Sequence, residues 1–109
     1  MDATEKHLLA QRVRETRIRM NRLRESNRRK FPEGAFEEFA AVTREYLEAT
    51  GKDEMIHRCV MDAVIGLTDE LQEDRLEAPG EVLNQADRLE TMLLMGYDPY
   101  FEGDEPPGL

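Results

Sequence analysis

The chain has 109 residues, of which 36% are charged and 39% hydrophobic, and 24 acidic side chains outnumber 15 basic ones to give a net charge of −9. This length is usual for one domain, and no apolar run approaches the ~20 residues of a membrane-spanning helix. Because the first residues also lack the shape of a signal peptide, we expect a single-domain cytoplasmic protein without a membrane partner. The one cysteine, Cys59, excludes an internal disulfide and a thiolate metal cage.

Charge is distributed unevenly along the chain. Residues 1–30 hold ten basic and four acidic side chains, whereas residues 31–109 hold five and twenty. Such asymmetry indicates either a basic segment for an external polyanion or two parts of one molecule that attract each other. Apolar residues recur at intervals of three and four and no strand pattern is present, which predicts an all-α, single-domain protein resembling a four-helix bundle.

The first predicted helix is long and basic and covers residues 3–30, with Asp2 or Thr4 as its N-cap and the Phe31–Pro32 pair as its end. Its apolar stripe has the spacing of a short coiled-coil seam and consists of Leu9, Val13, Thr16, Met20, Leu23 and Asn27. Arginines flank this seam, so a parallel copy of the helix would be repelled and an acidic helix attracted. We therefore expect the helix to dock on the acidic remainder of its own chain, with arginines bridging to glutamates.

Three further helices are predicted over residues 34–50, 53–75 and 81–95, which completes a helical domain over residues 1–96. The apolar stripe of the second helix consists of Phe36, Phe39, Ala40, Val42, Thr43, Tyr46, Leu47 and Thr50. That of the fourth consists of Val82, Leu83, Ala86, Leu89, Leu93 and Leu94. Residues 97–109 contain too many prolines, glycines and acids to continue as helix and form an irregular tail.

The third helix has an apolar face nearly half its circumference wide. A chain of this size is not expected to cover that face alone, and small helical proteins commonly close their cores by pairing. We therefore expect a homodimer in which a basic helix lies against an acidic one.

Glu90 lies within the predicted apolar stripe of the fourth helix. A buried carboxylate needs a cationic partner, because an unpaired charge is costly away from water. Arg17 or Arg24 of the first helix is the predicted partner, in a structural ion pair that aligns the two helices.

Two features predict binding to another protein. Ile18 lies almost opposite the centre of the first apolar stripe, framed by Arg14, Arg22 and Glu15, and indicates a second contact face. The tail carries three aromatic residues among acids: Tyr97, Tyr100 and Phe101. These rings either dock in a groove of a partner or pack back onto the helices.

The favoured function is a non-catalytic adaptor or regulator that binds another, unidentified protein. Motifs for catalysis or phosphate binding are missing, so neither an enzyme nor a cofactor is expected. One alternative is nucleic-acid binding through the arginines of the first helix, although the acidic remainder repels such a polymer. The other is a metal site at Glu54 and His57, whose spacing on a helix is half of a di-iron ligand set, completed in a dimer with Glu45 or Glu48.

Overall fold

A computed structural model of the chain describes residues 2–26, 31–51, 53–73, 79–96 and 98, with the backbone alone for residues 72 and 73. Four helices are present: α1 (Ala3–Ser26), α2 (Glu33–Thr50), α3 (Arg58–Glu73) and α4 (Gly80–Met95). The described residues contain no strand, and the helices pack around one core, which confirms the predicted all-α four-helix architecture. None of these helices is long and apolar enough to cross a membrane.

Capping residues explain where α1 begins and α4 ends. The carboxylate of Asp2 accepts the backbone N–H of Glu5 at 2.8 Å, as expected of an N-cap. At the other end, Gly96 adopts a left-handed φ of 79° and donates its N–H to the carbonyl of Met92 at 2.9 Å. A Cβ atom on Gly96 would lie 2.5 Å from the carbonyl oxygen of Gly51, so both the backbone angle and the close approach require glycine.

Contacts between helices define the topology. The pairs Arg12–Glu45 and Arg19–Glu38 show that α1 and α2 are antiparallel, and the pairs Arg17–Ala63 and Arg24–Glu70 show that α1 and α3 are parallel. Both α1 and α4 pack against α2 and α3, so α1 and α4 occupy opposite corners of the bundle. The chain must therefore cross the end of the bundle diagonally between α2 and α3.

This crossing explains why α3 begins at Arg58 rather than at residue 53. Residues 53–57, which we name the link, are not helical. The hydroxyl of Tyr46 on α2 accepts the N–H of His57 at 2.9 Å, and the carbonyl of His57 accepts the N–H of Val60 at 3.1 Å as α3 begins. The predicted helix over the link was wrong because hydrophobic spacing does not report which corner the next helix occupies. The predicted ends of the first and third helices at residues 30 and 75 lie outside the described residues.

The predicted apolar stripe is correct for α2 and rotated for α1. Every residue predicted to face inward from α2 is buried. On α1 the buried residues are Leu9, Ala10, Val13, Arg17 and Met20, whereas Leu23 is exposed and Asn27 lies outside the described residues. Compared with the prediction, the helix is rotated about its axis, so that Arg17, predicted to flank the stripe, is buried.

A similar rotation affects α4. The residues it buries are Val82, Ala86, Leu89, Met92 and Leu93. Leu83 and Leu94, predicted to be in the core, are 40% and 66% exposed. Glu90, only partly buried, lies on the same side of the helix as these two leucines.

Candidate functional site

The inner face of α1 combines cationic and apolar side chains. We name it the inner stripe, and it consists of Lys6, Ala10, Val13, Arg17, Met20 and Arg24. Its spacing of four and three residues is that of a coiled-coil seam. The side chains of Lys6, Arg17 and Arg24 are only 17%, 9% and 15% exposed, so these cations belong to the packed interior.

Arg17 is held by partners on α3 and on its own helix. Its Nε donates to the carbonyl of Ala63 at 3.2 Å, one terminal nitrogen donates to the side-chain oxygen of Asn21, and the other lies 2.9 Å from Oε2 of Glu70. Arg24 donates to the same carboxylate oxygen at 2.8 Å. Burial alone would raise the pKa of Glu70, but the hydrogen bonds and charges of the two arginines outweigh burial and hold that pKa below its usual value.

The structural ion pair therefore has a different acid from the predicted one. Among the described residues, Arg17 and Arg24 form their ion pairs with Glu70 on α3, and the assignment of Glu90 was wrong. The physical reason is the topology, since α4 lies at the corner opposite α1 while α3 lies beside it. The predicted docking of the basic helix onto acids of its own chain is confirmed for α2 and α3.

The link contacts the N-terminal end of the inner stripe. Nζ of Lys6 lies 3.1 Å from a carboxylate oxygen of Asp53 and donates to the carbonyl of Met55. Nδ1 of His57 lies 2.9 Å from the hydroxyl of Tyr46, and the rings of His57 and His7 are 5.6 Å apart between centroids. Burial, together with the nearby charges of His7 and Lys6, lowers the pKa of His57, while burial raises the pKa of Tyr46.

The metal hypothesis loses its geometric basis in the link. Glu54 and His57 do not lie on a helix, so their three-residue spacing does not place them on one face. Glu54 is exposed, whereas His57 is held by Tyr46. Within the described ranges, no group of three or more His, Cys, Asp or Glu side chains is arranged to hold a metal ion.

The outer face of α1 differs from its inner face. Of the seven basic side chains of the whole helix, five form ion pairs in the described part of the chain: Lys6, Arg12, Arg17, Arg19 and Arg24. The other two, Arg14 and Arg22, are exposed and flank Ile18 one turn away on each side. Ile18 is 37% exposed. We name Arg14, Ile18 and Arg22 the outer strip of α1.

The predicted docking motif of the tail cannot be placed. Tyr97, Tyr100 and Phe101 lie outside the described residues. Asp98, between them, is described, and its carboxylate accepts two hydrogen bonds from the guanidinium of Arg88 on α4, one of 2.8 Å. The chain is therefore tied to α4 at residue 98.

Sequence reasoning missed Glu70 and the meeting of the two histidines. Glu70 lies about one turn beyond Leu67, at the edge of the apolar face of α3. A carboxylate at this position can pair with a neighbouring basic helix, so the sequence could have predicted this ion pair. His7 and His57 are 50 residues apart in the chain, and nothing local relates them. Comparison of the chain with protein families, with characterised proteins and with solved structures finds no match, so its function has to be inferred from the residues themselves.

Proposed function

We propose that this chain is a non-catalytic protein–protein interaction module that binds its partner through the outer strip of α1. The supporting observation is the pairing of basic side chains along one helix. Five of the seven form ion pairs with the chain's own acids, and the two that form no described ion pair flank an exposed isoleucine.

The chemistry of the outer strip favours an acidic protein surface with an apolar contact at its centre. Burial of the exposed part of Ile18 provides an apolar anchor, and Arg14 and Arg22 each offer a planar group that pairs with a carboxylate. The two arginines are eight residues apart, which is about 12 Å along a helix. A partner helix of ordinary length covers this distance.

Nucleic-acid binding has weaker support from the same contacts. An attraction to phosphates needs outward-facing cations, and most cations of α1 are already paired within the chain. Two remaining arginines would release about two counterions, so the binding constant would fall with a logarithmic salt slope of about −2. No aromatic ring lies between these arginines to stack on a base.

Site-specific photo-cross-linking tests the proposed function. Benzoylphenylalanine replaces Ile18 in the full chain, which is expressed in its source cells and irradiated. The matched control carries the same group at Ala41, an exposed position on α2. We expect cross-linked protein from position 18 and none from position 41.

Two results would contradict the proposal. Cross-linking at position 18 that is removed by nuclease instead of protease would identify a nucleic-acid partner. Equal protein cross-linking from both positions would show that the outer strip of α1 has no special affinity.

A further inference from the structure

The outer surface between α3 and α4 contains a groove. Part of it is a cavity of about 290 Å³ between Thr68 and Leu71 on α3 and Leu83 on α4, which is room for a bulky aliphatic side chain. The first turns of α2 and α4 border one pocket and their C-caps, Gly51 and Gly96, approach closely, so these two helices are parallel. Since α2 is antiparallel to α1 and α1 is parallel to α3, the two helices of the groove are antiparallel.

The groove continues from the cavity toward the other end of the bundle. Steps of three and four residues stay on one face of a helix. On α3 these steps reach two apolar side chains, one exposed and one partly buried, and on α4 two exposed leucines enclose two acids. The α4 side is about 16 Å long. We name these six residues the α3–α4 groove: Met61, Ile65, Leu83, Asp87, Glu90 and Leu94.

Acidic side chains accompany the apolar ones along the groove. Asp87 and Glu90 lie between the two leucines on α4, and the exposed Asp62 and Asp69 lie within one turn of the isoleucine on α3. None of these four acids forms an ion pair with a described residue. Among the described residues of the two faces the only base is Arg58, at the start of α3. The groove therefore combines exposed apolar surface with negative charge that the chain does not itself neutralise.

We propose that the α3–α4 groove binds a basic amphipathic helix of another protein. This goes beyond the proposed function, because it assigns a second surface to a partner of the opposite charge. A helix laid along the groove buries its apolar side chains between α3 and α4. The α4 face has the order apolar, acid, acid, apolar at intervals of four, three and four residues, so the matching face has the order apolar, basic, basic, apolar. Since these intervals are the same in both directions, the partner helix can run either way.

Charge and residue order exclude occupants from the chain itself. Residues 97–109 carry four acids and no base, so the tail is repelled by the groove. The same face of a second copy would place acids opposite acids. The outer strip of α1 has the order basic, apolar, basic, which cannot place both arginines opposite the two acids and an apolar side chain opposite each leucine. A partner of different sequence fits better than any of these.

The position of the groove allows both surfaces to be used at once. Because α1 and α4 occupy opposite corners of the bundle, a helix in the groove leaves the outer strip of α1 uncovered. One molecule can then hold an acidic partner on α1 and a basic partner between α3 and α4. Such a pair of surfaces is what an adaptor needs to bring two proteins together.

Two synthetic peptides test the groove. Each has about 18 residues, a length sufficient for partial helix formation, and consists of alanine and glutamine with two leucines and two arginines on one face. In the matching peptide this face has the order leucine, arginine, arginine, leucine at the intervals of the groove. In the control peptide the leucines and arginines are exchanged, so composition and charge are identical. The full chain, labelled with nitrogen-15, is titrated with each peptide, and shifts of its amide signals report the site and the affinity.

We expect the matching peptide to bind about ten-fold more tightly than the control peptide and to shift amides of residues 61–69 and 83–94. Asp87→Asn with Glu90→Gln removes the charges, and Leu83→Ser with Leu94→Ser removes the apolar ends. Each pair of substitutions should weaken binding about ten-fold.

Two further variants serve as controls. Glu37→Gln with Glu48→Gln removes the same charge from the exposed face of α2 and should leave the affinity unchanged. Ile18→Ser should also leave it unchanged, because the peptide does not contact α1. The amide spectrum of each variant shows that it is folded.

Several results would overturn the inference. Equal affinity for the two peptides would mean a general attraction of cations to an acidic protein, and shifts confined to other faces, or weaker binding in Ile18→Ser, would move the peptide elsewhere. Tighter binding in Tyr100→Ser with Phe101→Ser would identify the chain's own tail as the occupant. A wild-type dimer in sedimentation that Leu83→Ser with Leu94→Ser dissociates would identify a second copy, as in the homodimer expected from the sequence.

The proposed function is tested separately. Photo-cross-linking at position 18 reports on the outer strip of α1, and the peptide titration reports on the groove. A failure of either experiment leaves the conclusion from the other standing.

Discussion

The inner stripe and the outer strip of α1 carry the same residue types and have different surroundings. Arg17 and Arg24 face α3 and share one carboxylate there, whereas Arg14 and Arg22 face away from the bundle. The helix carries arginines on both sides, so its charge alone does not indicate what it binds. The acids that the fold brings near each side chain decide whether an arginine stabilises the chain or is available to a partner.

The largest expected difference between the two faces is in stability. Arg17→Ala removes a buried guanidinium with three different partners, so we expect the free energy of unfolding to fall by about 3 kcal/mol. Arg14→Ala on the outer strip should change it by less than about 0.5 kcal/mol. Urea unfolding followed by circular dichroism compares the two. Equal losses would contradict the distinction between the faces.

A smaller effect is expected from the acid that the inner stripe shares. Glu70→Gln removes the charge between Arg17 and Arg24 and should cost about 1 kcal/mol, a value that already allows for the partial solvent exposure of this carboxylate. Glu38→Gln breaks the exposed pair with Arg19 and should cost about 0.3 kcal/mol. Because the pKa of Glu70 is lowered in the fold, its contribution is lost as pH falls through that lowered value. Acid unfolding of Glu70→Gln should show a smaller loss in that range.

The link at the end of the inner stripe predicts a pH dependence near neutrality. The pKa of His57 is lowered in the fold from its usual 6.5, by burial and by the charges of His7 and Lys6, with Asp53 as the acid beside Lys6. Between the lowered and the usual value the unfolded chain binds more protons, so stability decreases as pH falls below 6.5.

His57→Gln should flatten this decrease, and His7→Gln should shorten it by removing one of the charges that lower the pKa. Urea midpoints measured between about pH 7.5 and about pH 5 test both variants. A decrease of the same size in His57→Gln would show that other groups cause it.

The sequence was informative where a helix face has one chemical character. The stripe of α2 is apolar throughout, apart from two threonines and the hydroxyl of Tyr46, and all of it is buried as predicted. Hydrophobic spacing did not predict the buried face of α1, because it places every arginine on the outside. It contains no information on the Ala63 carbonyl and Glu70, which bind the buried Arg17. It failed on α4 because Leu83 is as apolar as Val82, and only packing against α2 and α3 decides which of them faces inward.

The sequence predicted the exposed residues of α1 better than those of α4. Ile18 and its flanking arginines were identified from their position opposite the apolar stripe, and the structure leaves all three exposed. On α4, Leu83 and Leu94 were predicted to lie in the core and Glu90 to be a buried ion-pair partner, whereas both leucines are exposed and Glu90 is only partly buried. Both errors come from the order of helices around the bundle, which local periodicity does not contain.

The smallest expected change in stability belongs to the outer strip of α1. Ile18→Ser shortens a side chain that is already 37% exposed and faces away from the core, so the free energy of unfolding should change by less than about 0.5 kcal/mol. Val13→Ser on the inner stripe is the matched variant, and it should cost about 3 kcal/mol because Val13 is fully buried. Partner binding should show the reverse order, since Ile18→Ser removes the apolar anchor from a surface whose fold it leaves intact. Unfolding and partner binding are therefore measured on the same two variants, to separate the residue that stabilises the bundle from the residue proposed to contact another molecule. A large loss of stability in Ile18→Ser would mean that this face is also part of the core.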